Sequence, residues 1–319
     1  ERFNYYGMRA ILVLFLTKAL LFDKVFASQV YGSYTGLVYL SPLLGGYIAD
    51  RYWGNNRSII AGGLVMALGE FILFFCGQFY ENASIAMPLF YAGLGCMIAG
   101  NGFFKPNISS MVGSLYNKSE KNKLDTAFTI FYMGINIGAF LGQFICPFLG
   151  DVVVNGQRDI FAFKWGFLAS GIAMILGTLT FLVLKNKYVV TPDGTPIGGL
   201  PSKHKAEDYE EGEAQKAHFT NKSLILSVVA FICLGIIFKT VFGQNIIYSI
   251  IYASGLTLAG LILSDKSLTK IERDRILVIY IVSFFVIFFW AAFEQAGSSL
   301  TFIADNQTRS EEHTSELQS

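Results

Sequence analysis

The sequence predicts an all-α, polytopic membrane protein, and three observations carry that prediction. Of its 319 residues, 53% are hydrophobic and only 15% charged, and the mean hydropathy is +0.49. Apolar runs long enough to cross a ~30 Å hydrocarbon core lie at 3–22, 30–49, 58–76, 86–115, 126–149, 162–184, 223–242, 245–264 and 276–304. The basic residues sort between the two sides. Fifteen lysines and arginines fall in the loops on the side from which the chain enters, against Lys24, Arg158, Lys164 and Lys239 on the other. That bias places the N-terminus and the 185–222 loop in the cytoplasm. A net charge of +1 gives no reason to expect nucleic acid. No zinc, P-loop or nucleophile–base signature points to a metal site or an enzyme. Cys76, Cys96, Cys146 and Cys233 lie in apolar runs without metal-ligand spacing and read as buried small residues.

The first run opens with charge. Arg2, Tyr6 and Arg9 fall at i, i+4 and i+7, and Glu1 and Tyr5 form a neighbouring i, i+4 pair, so helical spacing gathers them into a polar stripe. The stripe fits either a substrate or ion pathway, where intramembrane charges face a cavity and a partner, or an interfacial cluster. Gly45 to Arg57 then form a basic turn, expected to be tight and cytoplasmic. Its Gly-x-x-x-Asp-Arg-x-x-Gly-x-x-Arg pattern, with Asp50, Arg51 and Arg57, resembles the loop between helices two and three of major facilitator transporters. In that family the loop pins neighbouring helices in one conformation. Asp50 offers a carboxylate to a cation or a helix N-terminus, and Arg57 a donor to carbonyl ends.

The third run carries a lone acid, Glu70, which needs a partner or a proton. The fourth holds Lys105-Pro106-Asn107. Lys105 lies ~16 Å inside the cytoplasmic end at 1.5 Å per residue, too deep to snorkel easily, and Pro106 marks a helix break of the kind tolerated beside a cavity. In the fifth, Gly134, Gly138 and Gly142 recur every four residues, a ridge that lets another helix approach, while Tyr132 and Asn136 form a polar pair. Residues 185–222 read as a solvated linker with Pro-Asp-Gly turns. Two apolar helices follow, and the last run again carries an acid, Glu294, expected deep in a continuous helix toward the outer side.

Taken together, Glu1-Arg2-Phe3-Asn4-Tyr5-Tyr6-Gly7, Lys105-Pro106-Asn107, Phe131-Tyr132-x-x-Ile135-Asn136-x-Gly138 and Phe289-Trp290-x-x-Phe293-Glu294-Gln295 resemble the motifs of the proton-dependent oligopeptide transporter family, within the major facilitator superfamily. The resemblance covers about 1–308. It implies an N-terminal six-helix half (1–184), the cytoplasmic linker (185–222), an inserted two-helix hairpin (223–264) and the first helix of a C-terminal half (265–308). The implied activity is proton-coupled symport of di- and tripeptides by alternating access in the cell's inner membrane. Implied partners are peptides, protons and membrane lipids, with the proton gradient in place of any cofactor. Alternatives are a related carrier of nitrate or another small anion, or a non-transporting peptide receptor on the same fold.

Carried over by resemblance, Glu1, Arg2, Lys105 and Glu294 serve proton coupling. Tyr5, Tyr6, Arg9, Tyr39, Lys105, Asn136 and Glu294 contact substrate, and Asp50, Arg51, Arg57, Gly134 and Gly138 form gate or structural positions. The family's signature begins with an acid upstream of Glu1, and its later helices continue beyond this sequence, so both ends are expected to be cut and this polypeptide alone to be inactive. The tail 309–319 back-translates to a sequence resembling a short-read adapter and is expected to stand outside the fold.

Overall fold

The computed structural model describes residues 1–116, 121–191, 194–201 and 219–307. The charged stretch around 207–213 and the adapter-like tail 309–319 lie outside the described residues. Two compact units are present, Glu1–Pro201 with Gly297–Ser319, and Ser202–Ala296.

In the first unit, helix α1 (Arg2–Leu14) runs on as a π-turn, Phe15–Ala19. Its end is closed by bonds from Leu20 N to Phe15 O (3.1 Å) and Phe22 N to Leu16 O (3.0 Å). Leu21 takes the left-handed conformation (φ 56°) that such closures usually give to glycine. Asp23 then caps α2 (Lys24–Ile48), its Oδ1 accepting from Val25 N and Phe26 N at 3.0 Å, which neutralises two of the orphan donors of a helix start.

The tight turn expected at 45–57 takes another form. The chain stays helical through a π-turn, Ala49–Trp53, and breaks only at Gly54, whose φ of 73° a side chain rarely tolerates. Helices α3 (Gly54–Gln78), α4 (Ala83–Gly113), α5 (Lys121–Gly150) and α6 (Phe163–Tyr188) follow. Pro88, Pro106 and Pro147 lie inside α4 and α5 without ending them. Between α5 and α6 stands a hairpin of β1 (Val153–Val154) and β2 (Gln157–Arg158). Its turn residues Asn155 and Gly156 both have positive φ (53° and 76°), as the Asn-Gly turn of a two-residue hairpin requires.

The linker expected to be solvated is docked in its first part. Val190 bridges to Pro196, and Ile197 packs on Ile59 and Met111. Asn56 donates from its backbone N to Gly198 O (2.9 Å) and from Nδ2 to Ile197 O (2.7 Å). The cause is the start of α3, whose first amides lack helical acceptors and take them from this segment.

The second unit contains α7 (Asn221–Thr240), α8 (Ile246–Leu263) and α9 (Lys270–Phe293), each begun by a side-chain cap from Thr220, Asn245 and Thr269. Neither α7 nor α9 buries a residue, although both are apolar over most of their length. Such helices suit a lipid solvent. Cys233 is exposed on α7 rather than buried, because α7 has little of the chain packed round it. The ninth apolar run is not one helix: α9 stops at Phe293, Glu294–Gly297 form a 3-10 turn, and α10 (Ser299–Gln307) resumes. Among the described residues seven helical stretches are long and apolar enough to span a membrane, the first of them, Lys24–Gln78, holding both α2 and α3.

Helix α1 is the centre of the first unit. Met8, Ile11, Leu12, Phe15 and Leu16 are 0% exposed. Its neighbour α5 comes close because glycines face it. A Cβ on Gly138 would meet Arg2 Cβ at 3.2 Å, and one on Gly142 would meet Phe3 Cα at 3.0 Å and Gly7 N at 3.1 Å. A Cβ on Gly7 would meet Cys146 Sγ. Position 142 matches 3 and 7 while 146 matches 7, so α1 and α5 run parallel. The predicted ridge therefore starts one turn late. Gly134 has nothing within 4 Å, since Gly138 already lies against the first residue of α1.

Replacing Gly142 with Ala is accordingly expected to cost about 1–3 kcal/mol as an overpacked contact. Gly134→Ala is expected to stay within about 0.5 kcal/mol of neutral. Thermal unfolding of the two variants in detergent measures the contrast.

Candidate functional site

The polar side chains of α1 leave it in three directions, and each finds a partner on another helix. Toward α4, the Glu1 carboxylate accepts from Arg2 Nε at 3.1 Å and from Asn101 Nδ2 at 3.3 Å, with the Glu1 and Arg2 side chains 6% and 17% exposed. Toward α2, Arg9 donates from Nε to Tyr31 Oη at 2.9 Å and from a terminal nitrogen to the same oxygen, and bonds Tyr5 Oη at 3.3 Å. The Arg9 guanidinium lies over the rings of Tyr5, Tyr31 and Tyr6 at 5.2, 5.3 and 5.7 Å, and Arg2 lies 6.0 Å from the Tyr6 ring. The predicted stripe thus exists, with Tyr6 between the two arginines. Toward α3 and α6, Asn4 donates to Glu70 Oε1 (2.9 Å) and to Ser170 O (3.3 Å).

Helix α4 joins the first two directions. Asn101 and Lys105 are four residues apart and share a face. While Asn101 reaches Glu1, Lys105 Nζ rests 3.9 Å from the centroid of the Tyr39 ring on α2. The Glu1 carboxylate is held by Arg2 and Asn101 rather than by Lys105, so the lysine's positive charge faces an aromatic surface here. The approach of α4 to α2 depends on Gly102, where a Cβ would meet Ser41 at 2.9 Å.

The remaining predicted residues lie elsewhere. Asn136 is on the exposed side of α5, in a groove with Asp125, Tyr132 and Met133, so α5 turns Gly138 and Gly142 to α1 and its polar pair away. Glu294 belongs to the second unit and is the C-cap of α9. Asp50, Arg51 and Arg57 are exposed. Arg51 stacks 5.2 Å over the Tyr47 ring, and among the described residues Asp50 makes no ion pair.

Sequence reasoning missed Asn4, Tyr31 and Asn101, and left Glu70 without a partner. Tyr31 and Tyr34, one turn apart on α2, carried a detectable signal. Asn4 carried none, because its role is set by helices far off in sequence. Glu70 and Asn4 are both 0% exposed. Magnitudes constrain this pair. An ionised carboxylate within a membrane costs at least ~2.5 kcal/mol, whereas one interhelical hydrogen bond contributes about 0.6 and at most ~1.7 kcal/mol.

A further cluster stands at the other end of α1. Arg158, placed by the Asn-Gly hairpin, grips Asp151 through Nε (2.5 Å) and a second nitrogen (3.4 Å), and reaches Asp305 on α10 at 2.7 Å. Lys18, in the π-turn after α1, pairs with the other Asp305 oxygen at 2.8 Å. Burial disfavours the Arg158 charge, but its bonds to Asp305 and Asp151 outweigh that and hold its pKa above the ordinary value. The hairpin was legible as Asn155-Gly156 between valines; its ion pairs were not.

Comparison with known proteins follows the same lines. The sequence profile of the POT family matches residues 56–198. The uncharacterized transporter YclF of Bacillus subtilis is 33% identical over all of this chain and 60% of its own length. The peptide transporter YePEPT of Yersinia enterocolitica is 30% identical over 97% of this chain and 58% of its own length. Among solved structures, a peptide transporter POT in complex with sulfate is 27% identical, with a TM-score of 0.67 over 96% of this chain and 58% of that one. A POT family transporter in complex with a thioalcohol-conjugated peptide is 25% identical, with a TM-score of 0.69 over 96% and 59%. The chain spans about 60% of the length of the curated relatives it matches.

Removing the guanidinium by Arg158→Ala leaves Asp151 and Asp305 without their shared cation. The expected loss is about 1–2 kcal/mol after discounting for partial exposure, read as a lower melting temperature in detergent. Arg158→Lys is expected to restore only part of it, since an ammonium cannot span both carboxylates as the planar fork does.

Proposed function

Because the chain belongs to the POT family, a family of membrane transporters rather than enzymes, we propose that the whole protein is a proton-coupled symporter of di- and tripeptides. It works by alternating access in the cell's inner membrane, with the N-terminus and the 185–222 loop on the cytoplasmic side. Residues 1–184 supply its N-terminal six-helix half, 223–264 an inserted hairpin and 265–308 the first helix of the second half. The observation that carries this proposal is α1, a helix packed among apolar neighbours that nevertheless holds a carboxylate and two guanidiniums, each with a polar or aromatic partner on another residue. Such charges in a membrane helix mark a substrate or ion path.

A peptide zwitterion needs cationic and anionic patches kept apart. Lys105 and Arg9 offer the first to the peptide carboxylate, and Glu294 the second to its amine. Tyr5, Tyr6, Tyr39 and Asn136 supply neutral contacts. Glu1 and Arg2 serve coupling: protonating the Glu1 carboxyl weakens its hold on Arg2 and frees the guanidinium for another anion. Proton and substrate then shift the inward and outward populations by binding them unequally. Gly54 and the Asp50, Arg51 and Arg57 group form the cytoplasmic gate, and the proton gradient is the only driving agent.

Reconstitution of the whole protein in liposomes tests the proposal. Uptake of a labelled dipeptide is expected to rise when the outside is made acidic. Uptake indifferent to the gradient removes the coupling assignment. Nitrate uptake without peptide uptake points to the anion carrier, and peptide binding without uptake to a receptor. Lys105→Ala is expected to lower gradient-driven uptake by at least about tenfold, the loss of one charge-assisted contact, while the purified variant unfolds at an unchanged temperature. Unaltered transport refutes the role given to Lys105.

A further inference from the structure

Glu70 takes no part in the proposed transport path, yet its surroundings specify a state for it. Its carboxyl lies between α1, α3 and α6, 0% exposed. A Cβ on Gly171 of α6 would come within 3.1 Å of Glu70 Cβ, so α6 keeps a glycine where the acid needs room. Among the described residues, the one side-chain hydrogen bond to it comes from Asn4 Nδ2. Among the described residues no lysine or arginine pairs with it.

The orientation of the Asn4 amide is fixed by a second contact. Its nitrogen donates to Ser170 O as well as to Glu70 Oε1. Turning the amide over would set its oxygen against that backbone carbonyl, so the network determines which end is which. With both amide hydrogens committed, two buried atoms of this pair have no partner, Asn4 Oδ1 and Glu70 Oε2. Both are acceptors when the acid is ionised. The missing component is one hydrogen, and a proton on Oε2 is that hydrogen. A carboxylic acid and a primary amide are complementary through two bonds, N–H to the carboxyl C=O and O–H to the amide C=O. One is already made, and the terminal torsion of Glu70, which orients Oε2, is soft.

We propose that Glu70 is a proton-binding site that stays occupied: a neutral acid paired with Asn4 that fastens α1 to α3 and α6. Asn4 is thereby a positioning residue. It lies two residues after Arg2 and five before Arg9, so the pair sets the height and rotation of the stripe without touching substrate. The proton is structural and does not cycle. This inference takes from the transport proposal only the membrane location, and two of its three tests require no transport.

The first test is infrared spectroscopy of the purified whole protein with carbon-13 glutamate. The carbonyl stretch of a protonated carboxylic acid is expected at acidic and at neutral pH alike, and is expected to vanish in Glu70→Gln. Absence of a band that this substitution removes overturns the proposal. The second is thermal unfolding. Glu70→Gln keeps both bonds of the pair and is expected within about 2 °C of the unsubstituted protein, whereas Glu70→Ala and Asn4→Leu fall by at least about 4 °C. Collapse of the Gln variant alongside Ala means that an ionised carboxylate is needed, and overturns it. The third is gradient-driven uptake, expected within about twofold for Glu70→Gln. A folded Gln variant that has lost coupling shows that the proton moves, which also overturns it.

Discussion

The structure depends on one close approach, that of α1 to α5 across Gly7, Gly138 and Gly142. Hydrocarbon gives no hydrophobic drive for helices to associate, so contact must come from packing and polar bonds. Side chains at these positions would meet Phe3, Arg2 or Cys146. Their absence lets α1 sink into the bundle, and most of α1 from Asn4 onward is buried. That burial then governs everything polar on α1, because a group that reaches neither water nor lipid headgroup must be satisfied by another side chain.

The partners arrive accordingly, one per direction. Asn101 meets Glu1, Tyr31 meets Arg9, and Glu70 with Ser170 meets Asn4. They lie 22 to 166 residues away along the chain, and each comes from a different helix. A sheath of this kind orients the charges. Arg2 and Arg9 share Tyr6 as a neighbouring aromatic surface, while Lys105 has Tyr39. Aromatic faces stabilise a cation.

At the opposite end of α1 the logic is ionic. The π-turn after Leu14 carries Lys18, the Asn-Gly hairpin carries Arg158, and Asp305 binds both. Two local irregularities, neither of them an apolar feature, thus bring α10 into the first unit. At the start of α3, the segment after α6 satisfies the Asn56 backbone amide and side chain. Loops on both sides act here as bonding partners of helix ends rather than as spacers.

The sequence by itself determined that this is a membrane bundle of α-helices, where most of them run, and that α1, α4 and the last run carry charge among apolar residues, because hydropathy and helical period are properties of neighbouring residues. The recurring motifs also sufficed for the family. Only the tertiary structure decided which glycines are contact points and which are not, as Gly138 and Gly134 show, since that depends on where α1 begins against α5. It also decided that Glu294 caps a helix rather than sitting within one, and that Asn136 faces away from α1. Most of all it decided partnership: nothing local to Asn4, Glu70 or Arg158 names the residue each will bind. Those bonds join positions whose distance in sequence carries no period, and they exist only once the helices have been set side by side.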